Sequence, residues 1–307
     1  MLWDYFLILQ YLIIIFGIAS QCLLIHYLVL KPALQSCART CIAILSISMI
    51  YVLLFYGCET LVCLITGTMF VEKVCTEQLG KLLLYCIREY FQVVIVQSHL
   101  TFTIERLISI KSPELHKKPK FRLYFHRVLL MEQLFALFFT FAHYYYPEIF
   151  NGAWQIVFHF LIIVNWPIVI YTKKTCRSMY KVYNVEFYDL ARKHELYKAY
   201  EITKSLVTAL IANAIQQMLT FLFVGLQYQG LLFSKTDYYK TLFILHMLWN
   251  SNFAIFAWIL LLSHRSSRLK ILAASQPKIS ITSIDGTNIT QMPTQQEYFR
   301  ELRIAWS

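Results

Sequence analysis

The sequence predicts an all-α membrane protein that crosses the bilayer as a seven-transmembrane helix bundle. Hydrophobic residues make up 58% of the 307-residue chain and charged residues only 15%, whereas soluble domains average about 25% charged. The apolar residues fall in runs long enough to cross a hydrocarbon core of roughly 30 Å. Lys and Arg, which give a formal net charge of +11, lie almost entirely in alternate connections between these runs.

Seven windows have the length and apolar character of a spanning helix, which needs about 20 residues. The fifth and sixth contain no Asp, Glu, Lys or Arg, whereas Glu132 interrupts the fourth, the weakest of the seven. The first is too long for the core of a signal peptide and lacks a basic start, so we expect a retained span. Within a bundle over residues 1–263, the windows are 5–30, 41–65, 82–110, 128–146, 153–171, 206–227 and 241–262.

The basic residues set the predicted orientation, because Lys and Arg concentrate in cytoplasmic loops. The first, third and fifth connections and the C-terminal segment carry 22 Lys and Arg residues, whereas the other connections carry four. We therefore expect the N-terminus outside and the C-terminus in the cytoplasm. Basic loops beside anionic lipid account for the net charge, so the lipid bilayer is an expected partner and nucleic acid is not.

The cytoplasmic segments have distinct compositions. The second half of the fifth connection, YDLARKHELYKAYEITKSL, is rich in helix formers and predicts an extension of the sixth helix. Residues 264–307 form a predicted tail. Its first part, HRSSRLKILAAS, suits a short amphipathic helix on the inner membrane surface, and the chain from Gln276 onwards has the composition of disorder.

The third window carries four polar residues that share one helix face at about 100° per residue: Arg88, Gln92, His99 and Arg106. Lipid would not tolerate this set, so we expect the face to point into the bundle. It would join an outer ligand-binding end to an inner switch end. The alternative is an arginine at each membrane boundary, with its side chain snorkelling to water.

Other polar positions add candidates. His246 and Asn250 are four residues apart and share a face of the seventh helix. They could contact a ligand or simply hydrogen bond between helices, which is the commoner role. Glu105 and Arg106 lie at the end of the third window, where an adjacent acid and arginine can form a charge pair that breaks on activation.

Neither catalytic nor metal-binding motifs stand out, so no enzymatic activity, cofactor or metal is expected. The eight cysteines include no C-x-x-C pair. Cys75 lies in a predicted outer loop and could be oxidised with Cys58, Cys63 or Cys86, which the sequence leaves open.

Seven spans with Glu-Arg at the end of the third resemble a G-protein-coupled receptor. The Asn-Pro-x-x-Tyr and Cys-Trp-x-Pro motifs of rhodopsin-like receptors are absent from the seventh and sixth windows. The stretch SHLTFTIERLISI, the run LARKHELYKAYE before the sixth window, and the Tyr- and Phe-rich bulk are more similar to the nematode serpentine chemoreceptors of the Sra, Srab and Sre group.

This resemblance implies a small-molecule ligand, a heterotrimeric G protein as partner, and the plasma membrane, including that of sensory cilia, as the location. The expected ligand contacts are Arg88, Gln92, His99, His246 and Asn250. The expected coupling and switch residues are Glu105, Arg106, Lys193 and Lys198. Two alternatives rank below this reading: a small-solute transporter or channel, and an intramembrane hydrolase.

Overall fold

The computed structural model describes residues 2–30, 36–66, 79–146, 160–161, 164–179, 200, 202–213, 238–263 and scattered positions between 215 and 226. Among these residues only Thr66, Ser112, Lys118 and Tyr146 lie outside helices. Five of the described helices are long and apolar enough to cross a membrane. The chain is therefore an all-helical membrane protein, as the composition predicts.

The described helices follow the predicted windows in order. The bounds are Leu2–Leu24 for α1, with a π-helical turn over Ile25–Leu30, Ser36–Ile65 for α2, Leu79–Lys111 for α3, Pro113–Lys117 for α4, Pro119–Tyr145 for α5, 164–179 for α6, Ile202–Asn213 for α7 and Tyr238–Ser263 for α8. The helices long and apolar enough to span are α1, α2, α3, α5 and α8, whereas α6 and α7 overlap the fifth and sixth windows.

At three ends the described helix extends at least five residues past the predicted apolar window. The second helix begins at Ser36 and its window at residue 41, the fourth begins at Pro119 and its window at 128, and the fifth continues to residue 179 beyond a window that ends at 171. An apolar window marks only the lipid-facing part of a helix, while backbone hydrogen bonding continues into polar flanks. Pro119 suits a first helical position because its φ is preset and its missing N–H is not needed there.

Small residues allow α1 and α2 to pack closely. A Cβ atom added to Gly17 would lie 2.8 Å from Leu53 Cδ1, so any larger residue at this position would require the Leu53 side chain to move. The hydroxyl of Tyr11 donates to the Gly57 carbonyl at 3.2 Å across the same interface. Close backbone approach supported by polar contacts is typical of membrane helices, which gain no hydrophobic free energy by associating within lipid.

The helix α3 lies at the centre of the described bundle. It packs against α2 on one side and α5 on the other, and 67% of its membrane window is buried, against 28% for α5. Thr101 of α3 donates to Glu132, which explains why this acid does not interrupt α5. On the far side of α2, α1 packs against α8, where Trp258 Nε1 donates to Ser20 Oγ at 3.0 Å.

All described residues belong to one compact unit, Met1–Ser267. The predicted tail, the extension before α7, Lys193, Lys198 and Cys75 lie outside the described residues. The tail helix, the disulfide and the roles of both lysines therefore stay predictions, as do the full fifth and sixth spans.

Candidate functional site

The predicted polar face of α3 points into the bundle. The relative exposure of Arg88, Gln92, His99 and Arg106 is 5%, 4%, 9% and 0%. This burial confirms the inward orientation and excludes snorkelling to water by either arginine. The face is divided along the helix into two groups of charged side chains, with a cavity between them.

The first group, here the N-terminal charge cluster, consists of Glu59, Arg88 and Glu89. Arg88 Nη1 lies 2.5 Å from a carboxylate oxygen of Glu59 on α2, and Arg88 Nη2 lies 3.5 Å from Glu89. The guanidinium also lies 5.7 Å and 5.1 Å from the ring centres of Tyr56 and Tyr85. The guanidinium of Arg88, which the sequence predicts as a ligand contact, is thus already paired with two carboxylates and lies against two aromatic rings.

Two other predicted ligand contacts, Gln92 and His246, lie beside this cluster. In the amide orientation that satisfies both of its polar atoms, Gln92 donates to Glu89 Oε1 at 3.0 Å. The His246 ring centre lies 4.9 Å from that of Tyr56. Asn250, one turn along α8 from His246, is buried, and its Nδ2 has no hydrogen-bond partner among the described residues.

A cavity of about 50 Å³ lies between α2, α3, α6, α7 and α8, and we call it the central cavity. His99 is the one predicted ligand contact among its described lining residues. Trp249, Phe253 and Phe256 form an aromatic wall on α8, and the Phe256 ring centre lies 5.2 Å from that of His99. The remaining polar members are Asn165 on α6, Asn213 on α7 and Asn252 on α8.

The second charged group, here the C-terminal charge cluster, consists of Glu105, Arg106 and His116. Arg106 donates through Nε and Nη2 to the two carboxylate oxygens of Glu105, each at 2.5 Å. His116, carried by α4, lies with Nε2 2.7 Å from Glu105 Oε1. Neither member of the Glu105–Arg106 pair has measurable side-chain exposure, so the predicted charge pair is formed and sealed from solvent.

Two members of this cluster, together with Cys37 of α2, form the one trio of potential metal-ligand side chains found among the described residues. Ligand atoms of Cys37, Glu105 and His116 lie within 4.8 Å of one another. However, both oxygens of Glu105 are bonded to Arg106, whose positive charge opposes a divalent cation. This arrangement favours an internal ion pair over a metal centre.

Sequence reasoning missed several members of these groups. Glu89 is detectable as an acid next to Arg88, and Glu59 as an acid inside an apolar window, where a charge needs a partner. Asn252 and Asn213 are polar residues in the seventh and sixth windows, and Asn252 donates a hydrogen bond to Asn213 Oδ1. No pattern in the sequence indicates His116 as a site residue, because its role depends on how α4 packs against α3.

Comparison with known proteins adds no identification. No protein-family model matches the sequence, and no curated protein matches it. The similarity to serpentine chemoreceptors therefore depends on the sequence stretches quoted above, and the functional conclusion depends on the geometry of the bundle.

Proposed function

We propose that this chain is a G-protein-coupled chemosensory receptor of the plasma membrane, including that of sensory cilia. Seven helices would span the bilayer with the N-terminus outside and the C-terminus in the cytoplasm. One observation carries the proposal: α3, the most buried of the five described spanning helices, connects the central cavity at His99 to a sealed charge pair at Glu105 and Arg106. Along α3, His99 and the Glu105–Arg106 pair are about 10 Å apart, at 1.5 Å per residue.

The cavity supports ligand binding because several different helices, α2, α3, α6, α7 and α8, contribute to it. A ligand held between His99 on α3, Asn165 on α6 and Asn252 on α8 contacts helices that can change their relative positions. A ligand that binds one helix arrangement more tightly shifts the population towards it. The C-terminal charge cluster, together with Lys193 and Lys198, would then present the surface that a heterotrimeric G protein recognises.

The charge pair provides a test that needs no ligand. Replacing Arg106 alone leaves the buried carboxylate of Glu105 without its main partner, a change that costs about 3–5 kcal/mol and can prevent folding. The double variant Glu105→Gln/Arg106→Gln removes both charges together. We expect it to reach the membrane and to have altered basal nucleotide exchange on a co-expressed G protein, measured as GTP-analogue binding in membranes.

The matched control is Arg122→Gln, which removes an exposed arginine near the same end of the bundle. It should leave basal exchange unchanged. Wild-type exchange by the double variant would contradict the switch role. Ionic current in cells lacking G proteins would favour the transporter or channel, and stoichiometric metal in purified protein would favour the hydrolase.

The orientation has a separate and quicker test. Epitope tags at the two termini should stain on opposite faces of the membrane, the N-terminal tag on intact cells and the C-terminal tag only after permeabilisation. Tags on the same face would mean an even number of spans, and the receptor proposal would then fail.

A further inference from the structure

The central cavity contains buried polar atoms that the protein itself does not satisfy. Asn165 Oδ1, Asn252 Oδ1 and His99 Nε2 have no hydrogen-bond partner among the described residues. Their side chains belong to residues that are 7%, 5% and 9% exposed, and all three residues line the cavity. A buried polar atom without a partner costs about 1–3 kcal/mol, so an occupant that bonds to these atoms is stabilised.

The chemistry of these atoms selects the occupant. Both asparagine oxygens are acceptors, and the histidine nitrogen accepts or donates according to its tautomer. The described lining contains no Asp, Glu, Lys or Arg. An ionised ligand would therefore lose its hydration without gaining an opposite charge, which costs more than any neutral hydrogen bond returns.

Size and shape restrict the ligand further. A volume of about 50 Å³ has room for about four water-sized groups. The wall formed by Trp249, Phe253 and Phe256 suits a flat or apolar body, since aromatic rings stack on one another.

We propose, building on the receptor function above, that the central cavity binds small uncharged molecules with a flat apolar body and one N–H or O–H donor. The donor bonds to Asn165 Oδ1 or Asn252 Oδ1, and the body packs against the aromatic wall. Arg88 does not contact this ligand, because Glu59 and Glu89 already pair with it. The binding site is thus neutral and lies deeper along α3 than the charged residues suggest.

Pyrrole and furan test this ligand class directly. Both are flat five-membered rings of similar size, but only pyrrole has an N–H donor. We expect the purified full chain in lipid nanodiscs to bind pyrrole about tenfold more tightly than furan, the difference that one hydrogen bond to a buried acceptor provides. Titration of the thermal-unfolding midpoint or of tryptophan fluorescence reports the two affinities, with imidazolium, at a pH well below the pKa of imidazole so that the neutral form is scarce, as the charged comparison.

Removing the two asparagine acceptors should reduce the preference. In Asn165→Leu/Asn252→Leu, which leaves His99 Nε2 as the remaining unpaired atom of the three, the preference for pyrrole should fall well below tenfold, and retained furan binding shows that the variant is folded. If this variant does not fold, Asn165→Leu alone should reduce the preference. The control Gln133→Leu changes a polar residue that contacts Tyr90 outside the cavity and should keep the full preference.

Three outcomes would overturn the ligand class. Equal affinity for pyrrole and furan would mean that the donor is irrelevant. Tighter binding of imidazolium would mean that the site is not neutral. Binding of none of the three would mean that the cavity holds water only. None of these three outcomes tests the receptor function. That function is tested separately by the double variant of Glu105 and Arg106, in an experiment that uses no ligand.

Discussion

The two arginines of α3 are both buried ion-pair partners, but they are held in different ways. Arg88 bonds to Glu59, which belongs to α2, so the N-terminal charge cluster fastens two spanning helices to each other. Arg106 bonds to its own neighbour Glu105, so this ion pair lies within α3, and His116 of α4 bonds to the same carboxylate.

This difference indicates where α3 can move. Separating α3 from α2 near Arg88 would take the partly buried Glu59 carboxylate away from the buried Arg88 guanidinium in a medium of low dielectric constant, which is strongly unfavourable. The Glu105–Arg106 pair lies within one helix, so a displacement of α4 breaks the His116 hydrogen bond and leaves the pair itself intact. The first end is built as an anchor, whereas the second can rearrange.

The largest expected effect comes from breaking the anchor. Arg88→Leu leaves Glu59 and Glu89 without their shared cation, and we expect a loss of about 3–5 kcal/mol of stability, measured by thermal unfolding in nanodiscs. The matched control Arg122→Leu removes an exposed guanidinium and should change stability little. Equal stability of the two variants would mean that the N-terminal charge cluster is not an anchor.

An intermediate effect is expected at the movable end. His116→Ala removes one hydrogen bond to a charged acceptor but leaves Arg106 paired with Glu105, so the expected loss is about 2 kcal/mol. Basal G-protein nucleotide exchange should change as well, since α4 is released. His126→Ala, at an exposed position of α5, is the control. A loss as large as that of Arg88→Leu would show that both ends are anchored alike.

The smallest effect is expected for an uncharged contact on the flank of α3. The hydroxyl of Tyr90 donates to Gln133 Oε1 at 2.6 Å across the interface with α5. Hydrogen bonds between membrane helices contribute about 0.6 kcal/mol on average. A double-mutant cycle with Tyr90→Phe and Gln133→Leu should give a coupling of this size. A coupling near that of the Arg88–Glu59 pair would remove the distinction between charged anchors and neutral contacts.

Much of the helical framework could be predicted from the sequence, because the lipid around the chain restricts which backbone structures are possible. In lipid, backbone groups must bond within the segment, so the run around Leu12 and Ile15 had to be helical whatever it packed against. Periodicity likewise placed Arg88 and Arg106 on one face, and the energetic penalty of charge in lipid turned that face inwards. The helix ends were less predictable, since Pro119 starts α5 in a polar segment that hydropathy does not register.

The candidate site was less predictable than the fold. The sequence grouped Arg88, His99 and His246 into one ligand site, but the structure divides them between a charged cluster and a neutral cavity. The division depends on Glu59 reaching Arg88 from α2 and on Asn165 and Asn252 meeting beside His99. Such contacts join residues far apart in the chain, and a single sequence contains no record of the register between helices.

By itself, therefore, the sequence determined that this protein is helical and membrane-embedded, and that the polar face of α3 points inwards, because those features follow from local composition and the apolar solvent. Only the tertiary structure decided which buried charges neutralise each other and which polar atoms are left unpaired around a cavity. Pairing depends on distances of a few ångströms between different helices, and packing alone sets those distances.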